Sequence, residues 1–228
     1  MTTGVLQMTT LLAYHNDPAI KRKYMRRVAA HRKADELCQG VPWESNGVTR
    51  GCAVGCTLHA YDHSRYPIEL GVPEDIAHLE DAIFEGLPKK DALDWPTRFL
   101  SAIPVGADLS LVSAQFAVWC LTDEKWGATA LPDQPADAIE RCRRVAALWQ
   151  RVVDGEYIET LRAEFRKEEA GAGAWAWAWA WAWAWAGVVA WAGAWVGAWA
   201  GAGAQFWRAA ADKLESLLKA APRKVGAK

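Results

Sequence analysis

The sequence predicts an all-α fold, and three observations carry that prediction. Apolar residues recur at three- and four-residue spacing through most segments between Asp17 and Ala221. These segments open at capping residues or prolines and close at Gly or Pro. Outside one low-complexity stretch, no run of alternating apolar and polar residues marks a strand.

The elements follow in order. Asp17-Pro18 supplies an N-cap acid and a proline at the first helical position. Ile20, Tyr24, Val28, His31, Asp35 and Cys38 then form one stripe, and Gly40 is placed to end the helix. Pro73-Glu74-Asp75 opens a second helix with Ile76, Leu79 and Ile83 inward and Gly86-Leu87-Pro88 as its stop. A shorter helix spans Trp95 to Ile103 and is closed by Pro104. Residues 108–121 are mostly apolar, which suits a buried central helix. Residues 122–135 read as a loop. Beyond Pro135, Ile139, Cys142, Val145, Trp149 and Val152 make the cleanest amphipathic stripe, ended by Asp154-Gly155. A charged helix begins near Ile158, and a last one runs from Gln205 to Ala221, stopped by Pro222. The expected organisation is a helical globular domain over 1–155 and a long helical region over 156–222. A disordered tail is expected over 223–228.

The chain has 228 residues and a formal net charge of −1. That balance disfavours a basic nucleic-acid coat and an acidic disordered tail. Tryptophan is the anomaly, with 15 residues in all and nine between Trp175 and Trp199. Residues 170–204 carry no charge and consist almost wholly of Ala, Trp, Gly and Val. From Trp175 to Trp185 the alternation is strict, which by period alone indicates a strand. Against that, alanine is the best helix former and both flanks are helical. Trp175, Trp179, Trp183, Trp191, Trp195, Trp199 and Trp207 also share a four-residue grid, a slowly drifting stripe on a helix. A long helix or helical hairpin is therefore expected. The length alone permits a membrane span. However, Trp prefers the bilayer interface, and it fills the middle of this segment. A membrane anchor is therefore disfavoured.

Five cysteines (Cys38, Cys52, Cys56, Cys120, Cys142) make an odd count in a chain too long to need staples. The N-terminus lacks the pattern of a signal peptide. Reduced thiols in a cytoplasm are the expectation.

GCAVGCTLHAYDH concentrates ligand-type residues. On one continuous helix, Cys52, Cys56, His59 and His63 would share a face. Their outer pair would then lie about 16 Å apart at ~1.5 Å per residue, beyond the reach of one ion. Only neighbouring pairs could share a divalent metal, because ordinary zinc sites join a close pair to a distant one. The alternative is a buried helix packed closely through Gly51 and Gly55. His31 and Asp35, four apart on an apolar stripe, are expected to bond to one another. Such a pair can orient a general base or a metal ligand, and with Cys56 or Cys52 it can build a nucleophile. Equally, it can be a polar network that fixes helix packing. The opposite faces of this helix carry Lys21, Arg22, Lys23, Arg26, Arg27, Arg32 and Lys33, either a solvated face or an anion-binding one. There is no P-loop, dinucleotide fingerprint or nucleophile elbow, and no motif for reading a nucleic-acid sequence.

HRKAD (His31 to Asp35), GCAVGCTLH (Gly51 to His59), EDAIFEGLP (Glu80 to Pro88) and FLSAIPVGADLS (Phe99 to Ser110) carry a resemblance. Together with the C-terminal repeat, they resemble a family of uncharacterised bacterial and phage proteins. Its members join a GCAVGCT-type motif to Ala-rich repeats with an aromatic, usually Tyr, every fourth residue. The resemblance covers most of the chain and implies no established activity. In such relatives occasional Asp or Arg interrupts the repeat, which argues against a membrane span. This chain departs from them in its Trp and its strict alternation.

The reading favoured by the sequence is a non-enzymatic interaction protein, an accessory factor of a phage or mobile element. It would contact a protein partner or a second copy through the Trp-rich segment and take an anionic ligand on the basic helix. The alternatives are a metal-binding or Cys/His-dependent enzyme around His31, Asp35, Cys52, Cys56, His59 and His63, and a protein anchored to a membrane by 170–204.

Overall fold

Asp17 accepts a hydrogen bond from the Ala19 N–H through Oδ1 at 2.7 Å, and Pro18 occupies the first turn, so α1 begins where its cap dictates (Pro18–Lys33). The computed structural model describes residues 11–45, 47–170 and 200–224. The chain continues through a two-residue antiparallel pair, β1 (Trp43–Glu44) and β2 (Arg50–Gly51), into α2 (Ala53–Leu58) and α3 (Arg65–Leu70). It then forms α4 (Glu74–Gly86), α5 (Lys89–Ala92), α6 (Trp95–Ala102) and α7 (Val112–Thr122). After α8 (Ala136–Val153) and α9 (Ile158–Ala170), a final helix, α10, spans Ala200–Ala220. The fold is all-α.

Several of the residues expected to face inward are buried. Tyr24 and Val28 of α1 and Ile76, Leu79 and Ile83 of α4 are buried, each such large side chain contributing about 1.5–3 kcal/mol. The α10 residues Phe206, Trp207, Ala211, Leu214 and Leu218 join the same buried cluster as α1, α4 and α6. The indole of Trp207 lies flat against Gly86, where a Cβ would come within 1.9 Å of the ring. Arg98 of α6 clamps α10 from its edge, donating to Asp212 at 2.8 Å and to Glu215 at 3.0 and 2.5 Å. The α8 stripe packs separately: Cys142, Val145 and Trp149 lie against a small cluster of Leu121, Ala128 and Ala146.

Three expectations are corrected. The first helix stops at Lys33, seven residues before Gly40; Asp35 takes a left-handed φ of 55° and leaves the stripe. GCAVGCTLHAYDH is not one helix, because α2 ends at Leu58 and His59 turns left-handed at φ 58°. The loop over 122–135 holds a short 3-10 turn, Ala128–Ala130. The helix expected over the Trp-rich segment concerns residues 170–204, of which 171–199 lie outside the described ones, as do residues 225–228 of the tail. Among the described residues, no helix is long and apolar enough to cross a membrane.

One buried carboxyl belongs to the core itself. Glu80 is fully buried, accepts from the Tyr66 hydroxyl at 2.6 Å, and has no partner for Oε1 among the described residues. Burial pushes its pKa up to about 8, with the Tyr66 bond opposing and the Asp81 charge adding to the rise. The folded state therefore holds a proton that the unfolded chain has released above its ordinary value near 4.5. Stability conferred by this site is complete at acid pH and declines as pH rises toward 8. Glu80→Gln is expected to flatten that decline, which urea unfolding at pH 5, 6.5 and 8 measures.

Candidate functional site

The site is organised by the shortness of α2. Gly55 faces the Pro42 carbonyl so closely that a Cβ would sit 2.0 Å from its oxygen, and Gly51 meets the Trp43 ring in the same way. The close packing through Gly51 and Gly55 expected from the sequence is present. Cys52 caps the helix start, its Sγ accepting from the Gly55 N–H at 3.4 Å, while His59 caps its end. The four ligand-type residues are therefore divided. His59 is carried toward α1, and Cys52 and His63 toward α4.

On the α1 side, the partner of His31 is Glu36 rather than Asp35. As the helix ends, the Glu36 N–H bonds to the His31 carbonyl at 3.1 Å, and its Oε2 lies 2.5 Å from His31 Nδ1. Asp35 is exposed. His31 Nε2 in turn lies 2.8 Å from His59 Nε2, with the rings at 89°. Trp43 stacks on His59 at 5.1 Å and meets His31 edge-on at 5.8 Å. The tautomers of the neutral rings follow from this geometry. A carboxylate can only accept, so His31 carries its proton on Nδ1. Its Nε2 must then accept from His59 Nε2–H, which leaves a lone pair on His59 Nδ1. Partial burial lowers the His59 pKa, assisted by the charges of Arg27 and His31 and opposed by Glu36, so the neutral ring is favoured at pH 7. Glu36 also lies in the wall of a cavity of about 890 Å³, together with Cys38, Arg50, Phe84, Lys89 and Leu93.

On the α4 side, Asp81 is the hub. Its Oδ2 accepts from the Tyr61 hydroxyl at 3.0 Å and lies 3.2 Å from His63 Nε2. His63 stacks on His78 at 3.9 Å. Burial and the neighbouring His63 lower the His78 pKa to about 4. Cys52, Asp81 and Glu85 place ligand atoms within 4.8 Å of one another.

The thiols do not suit a nucleophile. Burial, reinforced by Glu36, pushes Cys56 up to about 12, and burial with the Asp81 charge raises Cys52 further. Cys56 directs its Sγ at the Gly51 carbonyl, 3.4 Å away.

The basic face of α1 is largely committed to the fold. Lys21 caps the end of α6, donating to the Ser101 and Ile103 carbonyls at 2.8 and 2.6 Å. Arg27 donates to the Thr57 carbonyl at 2.8 Å, Arg32 pairs with Asp94 at 3.3 Å, and Lys23 lies over the Tyr24 ring. Arg22, Arg26 and Lys33 are exposed. The anion-binding face expected from the sequence is thus reduced to these three, spread along the helix.

No protein-family model, curated protein or solved structure matches this chain. The resemblance drawn from its motifs therefore rests on those motifs alone.

Glu36, Trp43, Asp81 and Glu85 are the residues that sequence reasoning missed. Asp81 and Glu85 carried a usable signal, being four apart on one predicted helix. Glu36 carried none, since its approach to His31 depends on the helix ending at Lys33. Nitrogen-15 spectra of the imidazole rings at pH 8 are expected to show an Nδ1–H tautomer for His31 and an Nε2–H tautomer for His59. Glu36→Ala should return His31 to a mixture of tautomers, whereas Asp35→Ala should not.

Proposed function

We propose that this chain is an acid–base enzyme that exchanges a proton with a small polar substrate held in the cavity beside Glu36. Lys89, in the same wall, offers its charge to an anionic group on that substrate, while Arg50 beside it is paired with Glu44 at 2.8 Å. The volume, about 890 Å³, falls within the roughly 300–1,000 Å³ common to small-molecule sites.

One observation carries the reading: a continuous hydrogen-bonded chain from the cavity wall to an exposed imidazole, Glu36–His31–His59. A proton arriving at His59 Nδ1 lets His59 Nε2–H pass to His31 Nε2. His31 Nδ1–H then passes to Glu36, which becomes a carboxylic acid able to protonate a leaving group or carbanion. One proton enters and one is delivered, and running the chain backward exports a proton taken from substrate. Glu36 is the catalytic residue in this scheme. His31 and His59 act through it, held at right angles by their mutual bond and by the Trp43 ring. The nucleophile role considered for Cys56 has no part here, because its thiol stays protonated at neutral pH.

The test is a turnover screen against carboxylate esters, phosphate esters and hydroxy acids, followed by proton NMR. Glu36→Gln is expected to lower kcat/KM by roughly 10²–10⁴-fold, the usual worth of general acid–base catalysis. His59→Gln should depress kcat more than it changes KM and remove a limb of the pH profile, while Asp35→Asn should leave turnover unchanged. Undiminished turnover in Glu36→Gln would overturn the proposal, as would the absence of turnover across the whole screen.

A further inference from the structure

A second constellation lies outside the proton chain. Asp81 and Glu85 are four residues apart on α4, so their carboxylates rise from one face of that helix. Opposite them, Cys52 sits at the N-cap of α2, where the Gly55 N–H points at its sulfur. Each of the three offers a ligand atom within 4.8 Å of the other two.

The hydrogen bonds around this group show which atoms remain open. Asp81 uses Oδ2 for the Tyr61 hydroxyl and His63, and Glu85 uses Oε2 for the Gly40 N–H at 2.8 Å. Asp81 Oδ1 is left buried without a hydrogen-bond partner among the described residues, in a side chain whose residue is only 8% exposed. A buried carboxylate oxygen with no donor is costly, of order 1–3 kcal/mol or more for a charged group. Packing a second carboxylate and a sulfur beside it adds repulsion that a proton or a cation must relieve. The surrounding bonds also have the form that orients metal ligands: Tyr61 and His63 fix the Asp81 carboxylate, and Gly40 fixes that of Glu85.

We propose that Cys52, Asp81 and Glu85 bind a divalent transition-metal ion of the zinc class, with a coordination position left for water or a ligand. The donor set selects the ion. A thiolate disfavours magnesium and calcium, which take all-oxygen shells, and suits zinc, cobalt(II) and iron(II). Three protein ligands match the number found in open zinc sites, where a fourth position is left for water. On binding, the metal–sulfur bond forms as the Cys52 S–H proton is released to solvent, so affinity weakens in acid. Of the four metal candidates offered by the sequence, only Cys52 takes part. Cys56 faces the Gly51 carbonyl, His59 belongs to the proton chain, and His63 supports Asp81 from behind.

The experiment is titration of the purified, chelator-treated full chain with cobalt(II), followed by competition with zinc. One equivalent is expected to bind, with a near-ultraviolet thiolate-to-cobalt charge-transfer band that zinc abolishes. Cys52→Ser should remove the band, while Cys38→Ser and Cys56→Ser retain it. Glu85→Gln alters an exposed side chain and leaves the fold intact by circular dichroism; it should weaken cobalt binding by about tenfold or more. Zinc should raise the melting temperature of the natural chain and not that of Asp81→Asn. A band that survives in Cys52→Ser, unchanged affinity in Glu85→Gln, or no stoichiometric uptake of either metal would each overturn the proposal. None of these variants replaces Glu36, His31 or His59, and each is read by metal uptake rather than turnover, so the outcome is separate from the acid–base reading.

Discussion

The approach of the Pro42 carbonyl to Gly55 sets the terms for everything around it. Two backbones pass so closely that no side chain fits between them, and the segment carrying Cys52 through His59 is held against the β1 turn. With only six residues, α2 makes few intrahelical bonds of its own, and its stability comes from this packing rather than from propensity. Its ends are therefore free to leave helical geometry. Cys52, buried, caps the start through its sulfur, and His59 turns through the left-handed region. Both functional clusters are consequences of that short, tightly held helix.

The two clusters also show opposite solutions to the burial of charge. Around His31, both ring nitrogens have partners, and the chain Glu36–His31–His59 is continuous. Around Asp81, the shell is incomplete: one oxygen is satisfied twice and the other not at all. A complete network fixes the geometry of its members, while an incomplete one leaves a buried charge uncompensated. Glu80, beside Asp81, takes a third course and escapes the problem by holding a proton.

Much of the fold was legible because it depends on local rules. The Asp17-Pro18 start, the Pro73 and Pro135 starts and the α8 stripe are written in caps and periodicity, and the inward residues of α4 follow from its spacing. The candidate site was legible in composition but not in pairing. His31 was identified, yet its acid was placed one residue early, because a helix extended by one turn brings Asp35 into register while the real helix ends first. Cys52, Cys56, His59 and His63 would share a face only on one continuous helix, and α2 ends at Leu58. The left-handed turn at His59 arises from tertiary packing against Pro42 and Trp43, which periodicity does not encode. Asp81 and Glu85 share a helix face by spacing, but their approach to Cys52 is a tertiary contact that spacing does not encode.

The seating of Trp207 against Gly86 bears on how this chain can vary. Phe206 and Trp207 return the polypeptide to the same core that α1 and α4 build, while Leu161 and Trp149 with Phe165 fix the other side of the Trp-rich insertion. The repeat is thus spliced into the fold between two anchored ends rather than appended to it. A change in the length of that insertion leaves the helical body intact only while Trp207 still finds its glycine.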